Sequence, residues 1–146
     1  MKKIKFLLVM AMVSIMSLTM SADNDDRVIT FDQLPQPAQT FLKQNFANKV
    51  PLIVTADRDD YKIVYENGES IEFDRTGNWK DIECYNSKVP ADVIPSQIAA
   101  YINKNYPGKM TIKFERHRSM YEVKLNNGRE IEFNRNFQVI DVDFDD

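Results

Sequence analysis

Tyr61-Lys62-Ile63-Val64-Tyr65-Glu66-Asn67-Gly68-Glu69-Ser70-Ile71-Glu72-Phe73-Asp74-Arg75 is matched without gaps, 60 residues later, by Tyr121-Glu122-Val123-Lys124-Leu125-Asn126-Asn127-Gly128-Arg129-Glu130-Ile131-Glu132-Phe133-Asn134-Arg135. In each segment apolar residues alternate with polar ones, as in a strand with one buried face. Tyr61, Ile63 and Tyr65 share one face, and Ile71 and Phe73 continue it on a return strand. Asn67-Gly68 and Asn127-Gly128 sit between the runs, which predicts a hairpin with positive φ at both turn residues.

The offset persists on both sides. Leu34-Pro35 lies over Ile94-Pro95, Phe41 over Tyr101, Asn45-Phe46 over Asn105-Tyr106, and Asp81-Ile82 over Asp141-Val142. One offset held over about 50 positions marks a duplication. Ahead of each hairpin Ala38, Phe41, Leu42 and Phe46, and then Ile98, Tyr101, Ile102 and Tyr106, recur at helical spacing. Pro35 and Pro37 suit a first helical turn, where a missing N–H costs little. Between helix and hairpin, Leu52 and Val54 alternate with Ile53 and Thr55, and Ile112 and Phe114 with Lys113 and Glu115. After the hairpin comes a last strand, with Lys80, Ile82 and Cys84 expected inward in one copy and Ile140, Val142 and Phe144 in the other.

The expected fold is therefore α+β: two tandem units of one helix and four antiparallel strands, over 28–86 and 87–146. A unit of this size is marginal alone. The two are expected to join in one sheet, with both helices on one face.

The N-terminus carries Lys2, Lys3 and Lys5 ahead of a short apolar run from Phe6 to about Met20, then Ser21 and Ala22. This reads as a secretory signal over 1–21, with cleavage after Ser21 or, alternatively, Ala22. A membrane anchor needs about 20 apolar residues, and this run is shorter. Without those three lysines, 16 basic side chains remain against 22 acidic ones, a net of −6. That argues against nucleic-acid binding, which needs a basic surface, and against docking on anionic membranes. The mature chain is expected in a periplasm or outside the cell. Cys84, the sole cysteine, allows no intrachain disulfide. It is either a reactive thiol or, as strand alternation favours, a buried small hydrophobe.

The Leu-Pro or Ile-Pro helix start, the Tyr-x-Ile/Val strand, the Asn-Gly hairpin and the Ile-Glu-Phe-Asp/Asn-Arg strand resemble PepSY-like domains. Such domains occur as tandem pairs in exported bacterial proteins, and the pair resembles the fold of the beta-lactamase inhibitory protein. The resemblance covers roughly 28–146. It implies that fold and protein binding, including inhibition or chaperoning of exported enzymes. The disulfides of the inhibitory protein have no counterpart here, and no residue role is carried over.

No catalytic constellation is visible. His117 is the only histidine, and a triad needs a base, a nucleophile and an orienting group that converge. Asp57, Asp59 and Asp60, and Asp141, Asp143, Asp145 and Asp146, lack the spacing of a calcium loop. No enzyme activity, cofactor or metal is expected. Candidate binding residues lie on the sheet face away from the helices: Ile53, Val64, Glu72, Trp79 and Tyr85 from the first unit and Glu132 from the second. Asp81, Glu83, Lys113, Lys124, Val139, Asp141 and Asp143 share that parity. Trp79 either anchors an interface there or folds over the sheet edge. The leading expectation is a non-catalytic module that binds an exported protein or peptide through this face, inhibition of a secreted hydrolase being one form. The alternative is a periplasmic binder of a small ligand or envelope component. Exposed edge strands could also pair between chains, so oligomeric state stays open.

Overall fold

The computed structural model describes residues 26–144. The expected signal peptide lies outside them, as do Asp145 and Asp146. In chain order the elements are β1 (Arg27–Ile29), α1 (Gln36–Asn45), β2 (Pro51–Ala56), β3 (Asp60–Tyr65), β4 (Ser70–Asp74) and β5 (Trp79–Glu83), then α2 (Ser96–Asn105), β6 (Thr111–Arg116), β7 (Met120–Leu125), β8 (Arg129–Asn134) and β9 (Val139–Phe144). All nine strands form one antiparallel sheet whose order follows the chain, β1 to β9. The fold is α+β, as expected. The three-residue β1 was not foreseen, because Arg27-Val28-Ile29 is too short to show alternation.

Each helix starts after a proline and ends on an aromatic residue, whose N–H reaches the carbonyl four residues back. Phe46 N donates to Leu42 O at 2.8 Å, and Tyr106 N to Ile102 O at 2.7 Å. The buried stripes, Ala38 and Leu42 on α1 and Ile98 and Ile102 on α2, join one core with Ile63, Phe73, Ile82, Phe114, Ile131 and Phe133 of the sheet. Both helices thus cover the same side. Phe41 meets Phe73 edge-on at 5.9 Å, and Tyr101 meets Phe133 edge-on at 5.6 Å. Fully burying the Phe73 and Phe133 rings stabilises the fold by roughly 1.5–3 kcal/mol each.

The hairpins depart from the expected turn. Only Gly68 and Gly128 have positive φ, +91° and +88°; Asn67 and Asn127 do not. Gly68 N donates to Tyr65 O at 2.9 Å, and Tyr65 N to Glu69 O at 2.8 Å. The loop is therefore three residues long, a tight turn closed by a left-handed glycine. Asn67 Oδ1 instead accepts the N–H of Glu69, and Asn127 Oδ1 that of Arg129, both at 3.0 Å.

Two register slips per half also alter the strand faces. Leu52, expected inward, is the extra residue between the pairs Pro51↔Tyr65 and Ile53↔Val64, and is 63% exposed. Ile112, also expected inward, occupies the same place between Thr111 and Lys113. In β5 and β9, Phe73 faces Trp79 and Phe133 faces Val139, leaving Lys80 and Ile140 as the extra residues. A bulge re-aims every side chain beyond it. Trp79 and Val139 therefore turn onto the core. Lys80 and Ile140, expected inward, do not.

Candidate functional site

Strand parity, corrected for the bulges, defines the face that the helices leave uncovered. Ile53 and Val64 are paired neighbours on it, both half-buried. Glu72 and Glu132 also lie on it, on β4 and β8. Tyr85, just beyond β5, is 39% exposed, with Lys124 Nζ 5.7 Å from its ring centre. These five positions stand where alternation put them.

Trp79 is on the other side, which corrects the expectation that it sits on this face. Its ring lies 5.0 Å from that of Phe114, which is fully buried. Arg116 Cζ stands 4.4 Å from the indole centre, and Arg116 Nη2 donates to the Trp79 carbonyl at 2.8 Å. The indole closes the core near the seam between the two halves, and Val139 is likewise packed on the core. Lys80 stays with the uncovered side, its Nζ 2.6 Å from Asp60 Oδ1.

The register assembles something larger than the expected residues. Glu72 pairs with Asp81, Asp81 with Glu115, Glu115 with Glu122, Glu122 with Glu132, and Glu132 with Asp141. Six carboxylates thus form one line across the six strands β4 to β9, with Lys62 at its β3 end. Like charges directly opposite each other in a sheet are unfavourable by roughly 0.2–1 kcal/mol a pair. Glu115 and Glu122 escaped the sequence reading, although each is two positions from a lysine already placed on this face. Only the β6–β7 pairing puts them in the same line.

The second row, one pleat along, runs Glu83–Lys113–Lys124–Glu130–Asp143. Lys113 Nζ reaches Glu115 Oε1 at 3.0 Å and Glu83 Oε2 at 3.4 Å. Burial disfavours its charge, but Asp81, Glu115 and Glu83 outweigh that and hold it protonated above the usual lysine range. Asp81 is pushed up to about 8, first by burial and then by Glu83, Glu115 and Glu72, with Lys113 pulling the other way. Its Oδ1 is buried with no hydrogen-bond partner among the described residues. Burial also raises Glu72 and Glu122, the latter helped by Glu115 and Glu130. At the centre of the row Asp81, Glu115 and Glu122 thus share one buried cation, Lys113.

Elsewhere among the described residues the titratable groups serve local contacts. His117 Nε2 lies 3.3 Å from Glu115 Oε2 in a turn. Glu69 is buried; its Oε2 accepts from Ser87 Oγ at 2.5 Å and lies 3.7 Å from Lys49 Nζ. Burial, then Glu69, push the Cys84 thiol up to about 12. A thiol held protonated and fully buried is not a nucleophile. Asp57, in the acidic loop, accepts the N–H groups of Asp59 and Asp60 at 2.7 and 2.8 Å and so serves its own turn. A shallow cleft at the end of α1 is lined by Phe31, Leu42, Lys43, Phe46, Lys49 and Tyr65, away from the carboxylate row.

Comparison with known proteins places this geometry. Residues 20–69 and 59–141 match a family described as "Putative beta-lactamase-inhibitor-like, PepSY-like". The fold superposes on a Bacteroides thetaiotaomicron protein described as a "putative calcium-regulated periplasmic protein", with a TM-score of 0.81 and 38% identity over 84% of this chain and 99% of that one. A Bacteroides vulgatus protein described as a "putative periplasmic protein" gives 0.80 and 42% over 84% and 99%. A second from the same species, described as of unknown function, gives 0.77 and 30% over 81% and 98%. No match was found among curated proteins. No helix among the described residues is long and apolar enough to cross a membrane. With its neighbours described as periplasmic, the protein is assigned to the periplasm or beyond, as its N-terminus leads one to expect. The family description names no catalytic activity, and the chain belongs to the PepSY-like, beta-lactamase-inhibitor-like family.

Proposed function

We propose that this protein is an exported, non-catalytic binding module that holds the basic surface of another exported protein on the carboxylate row of its uncovered sheet face. The row itself carries the reading. Six carboxylates in register raise the free energy of the folded protein, and they do so on the one large surface that the helices leave open. A partner presenting lysines or arginines there would relieve that repulsion. Complementary charge of this kind sets specificity and association rate more than raw affinity. Under the same reading, 28–86 and 87–146 are copies of one ancestral unit, and the joined sheet gives the row its length.

A second reading rests on the neighbour described as calcium-regulated. Calcium favours six to eight oxygens around a point, whereas these carboxylates lie along a line. The line fits a partner with spaced charges better than a single ion. The small-ligand reading would use the cleft at α1, which is shallow.

The test is capture of partners from the periplasmic fraction with mature protein, beside a Glu72→Lys, Glu132→Lys variant matched by circular dichroism. A partner retained by the parent, lost by the variant and released near 1 M salt, where screening acts within about 3 Å, supports the reading. A partner kept equally by both proteins sinks it. Calorimetry with calcium decides the second reading: tight binding lost in the same variant would favour the ion.

A further inference from the structure

The free edge of the sheet adds to this picture. β9 pairs with β8 alone among the described residues. Its equivalent in the first half, β5, is covered by β6. The cover has a definite chemistry. Phe114 stands opposite Ile82 on the helix side, while on the carboxylate side Lys113 stands opposite Glu83 and Glu115 opposite Asp81. Ile82 and Cys84 are fully buried by this arrangement.

β9 repeats the acceptor pattern without the cover. Asp141, Val142 and Asp143 occupy the places of Asp81, Ile82 and Glu83. Val142 is 39% exposed and Phe144 51%, both pointing to the helix side. Asp141 and Asp143 end the two charged rows on the other side. We infer that the β9 edge accepts an extended segment of another protein as a tenth strand, one that alternates basic residues toward Asp141 and Asp143 with a large apolar residue toward Val142. This deepens the binding reading above by naming how the partner engages. Main-chain pairing would supply affinity and alternate side chains specificity. β6 is the internal template for the apolar position and for the basic one facing Asp143, and such a strand differs from it by a basic residue in the place of Glu115, facing Asp141.

A second copy fits poorly. Two β9 edges paired with each other would bring Asp141 and Asp143 of both chains together. The opposite edge, β1, turns only Val28 toward the carboxylate side and follows the acidic stretch Asp23-Asn24-Asp25-Asp26. A basic, alternating segment from a different protein is the occupant that the charges select.

The probe is a synthetic peptide with the sequence of residues 110–117 carrying Glu115→Lys, so that lysines face both Asp141 and Asp143, added to mature protein and followed by amide hydrogen exchange in NMR. The expected result is exchange at β9 slowed at least about tenfold at saturation. Asp141→Lys, Asp143→Lys protein should bind at least about tenfold more weakly, a loss of 1.4 kcal/mol or more. A peptide with glutamate at both lysine positions should prefer that variant. Both aspartates are exposed, so the variant should fold, and its unliganded spectrum checks this. Equal binding of the charge-reversed peptide by the parent would overturn the inference. So would the absence of any β9 protection at millimolar peptide, or β9 amides already protected in a self-associated protein. Glu72→Lys separates the two readings. If it abolishes peptide binding and the shifts centre on Asp81, the face is the site and the edge is not. If it leaves β9 protection intact, the edge inference stands whether or not the face captures a partner.

Discussion

The two halves carry nearly the same inward pattern, yet equivalent residues live in different surroundings. Ile82 is fully buried and Val142 is 39% exposed; Cys84 is fully buried and Phe144 is 51% exposed. Nothing local separates β5 from β9. What separates them is position, since β5 is central and β9 is terminal in the sheet. The turns before these strands differ in the opposite sense. Gly77 sits at φ +92° where an added Cβ would stand 2.9 Å from Pro35 Cβ and 3.0 Å from Ala38 N. Its counterpart Phe137 holds φ 64°, and its ring lies 5.4 Å from that of Tyr121. One backbone shape is kept by glycine in a tight place and by a packed aromatic in a looser one. Matching sequence sets the local conformation, and the neighbours decide what each side chain is worth.

The sharpest way to break this comparison is paired truncation. Ile82→Ala should cost about 2–5 kcal/mol, as for other buried aliphatic residues. Val142→Ala should cost under about 1 kcal/mol, because the site is already half in water. Urea unfolding of the two variants checks the difference. Equal losses would mean that β9 is covered in solution, and the edge would then not be free.

The turns give the next largest contrast. Gly77→Ala must place a Cβ against the start of α1 at a backbone angle that alanine disfavours, so a loss of about 2–3 kcal/mol is expected. Phe137→Gly relieves about 1 kcal/mol of left-handed strain while losing the ring contact with Tyr121. Its net change should stay within about 1 kcal/mol. Thermal unfolding of both resolves them. A large loss at Phe137 would show that the aromatic contact, not the backbone, dominates the second turn.

Much of this fold was legible because matching segments 60 residues apart doubled each signal. Helix stripes, hairpin positions and inward residues such as Ile63, Phe73 and Phe133 follow from period and offset alone. The faces of Trp79, Lys80, Val139 and Ile140 do not. Alternation carries no mark of a bulge, and one extra residue reverses every assignment between it and the turn. Leu52 and Ile112 were misplaced for the same reason. The candidate site was half visible: Glu72, Asp81, Glu132 and Asp141 share a face by parity. Their alignment with Glu115 and Glu122 depends on register between strands joined by turns and by α2, which no single segment encodes. β1 was missed because three residues hold too little pattern.

The smallest paired effect concerns Asp81 and Asp141, which are equivalent by sequence and unequal by environment. Asp81 faces Glu72 on β4, Glu83 on its own strand, and Lys113 and Glu115 on β6, with its pKa pushed up to about 8. The folded protein therefore binds this proton more tightly than the unfolded chain does. Stability tied to Asp81 is greatest below the ordinary carboxylate range and falls as pH rises toward about 8. The raised pKa values of Glu72 and Glu122 act in the same direction. Asp81→Asn keeps the shape and removes the buried charge. It should stabilise the protein by about 1–2 kcal/mol at pH 8, less at pH 5, and flatten the pH dependence between them. Asp141→Asn, on the exposed edge strand, should change stability by no more than about 0.5 kcal/mol. Urea unfolding at the two pH values measures all of this. If Asp81→Asn destabilises at pH 8, the Asp81 carboxylate is held in its charged form by Lys113. The row would then be balanced within itself, and the reason for a basic partner to bind there would be gone.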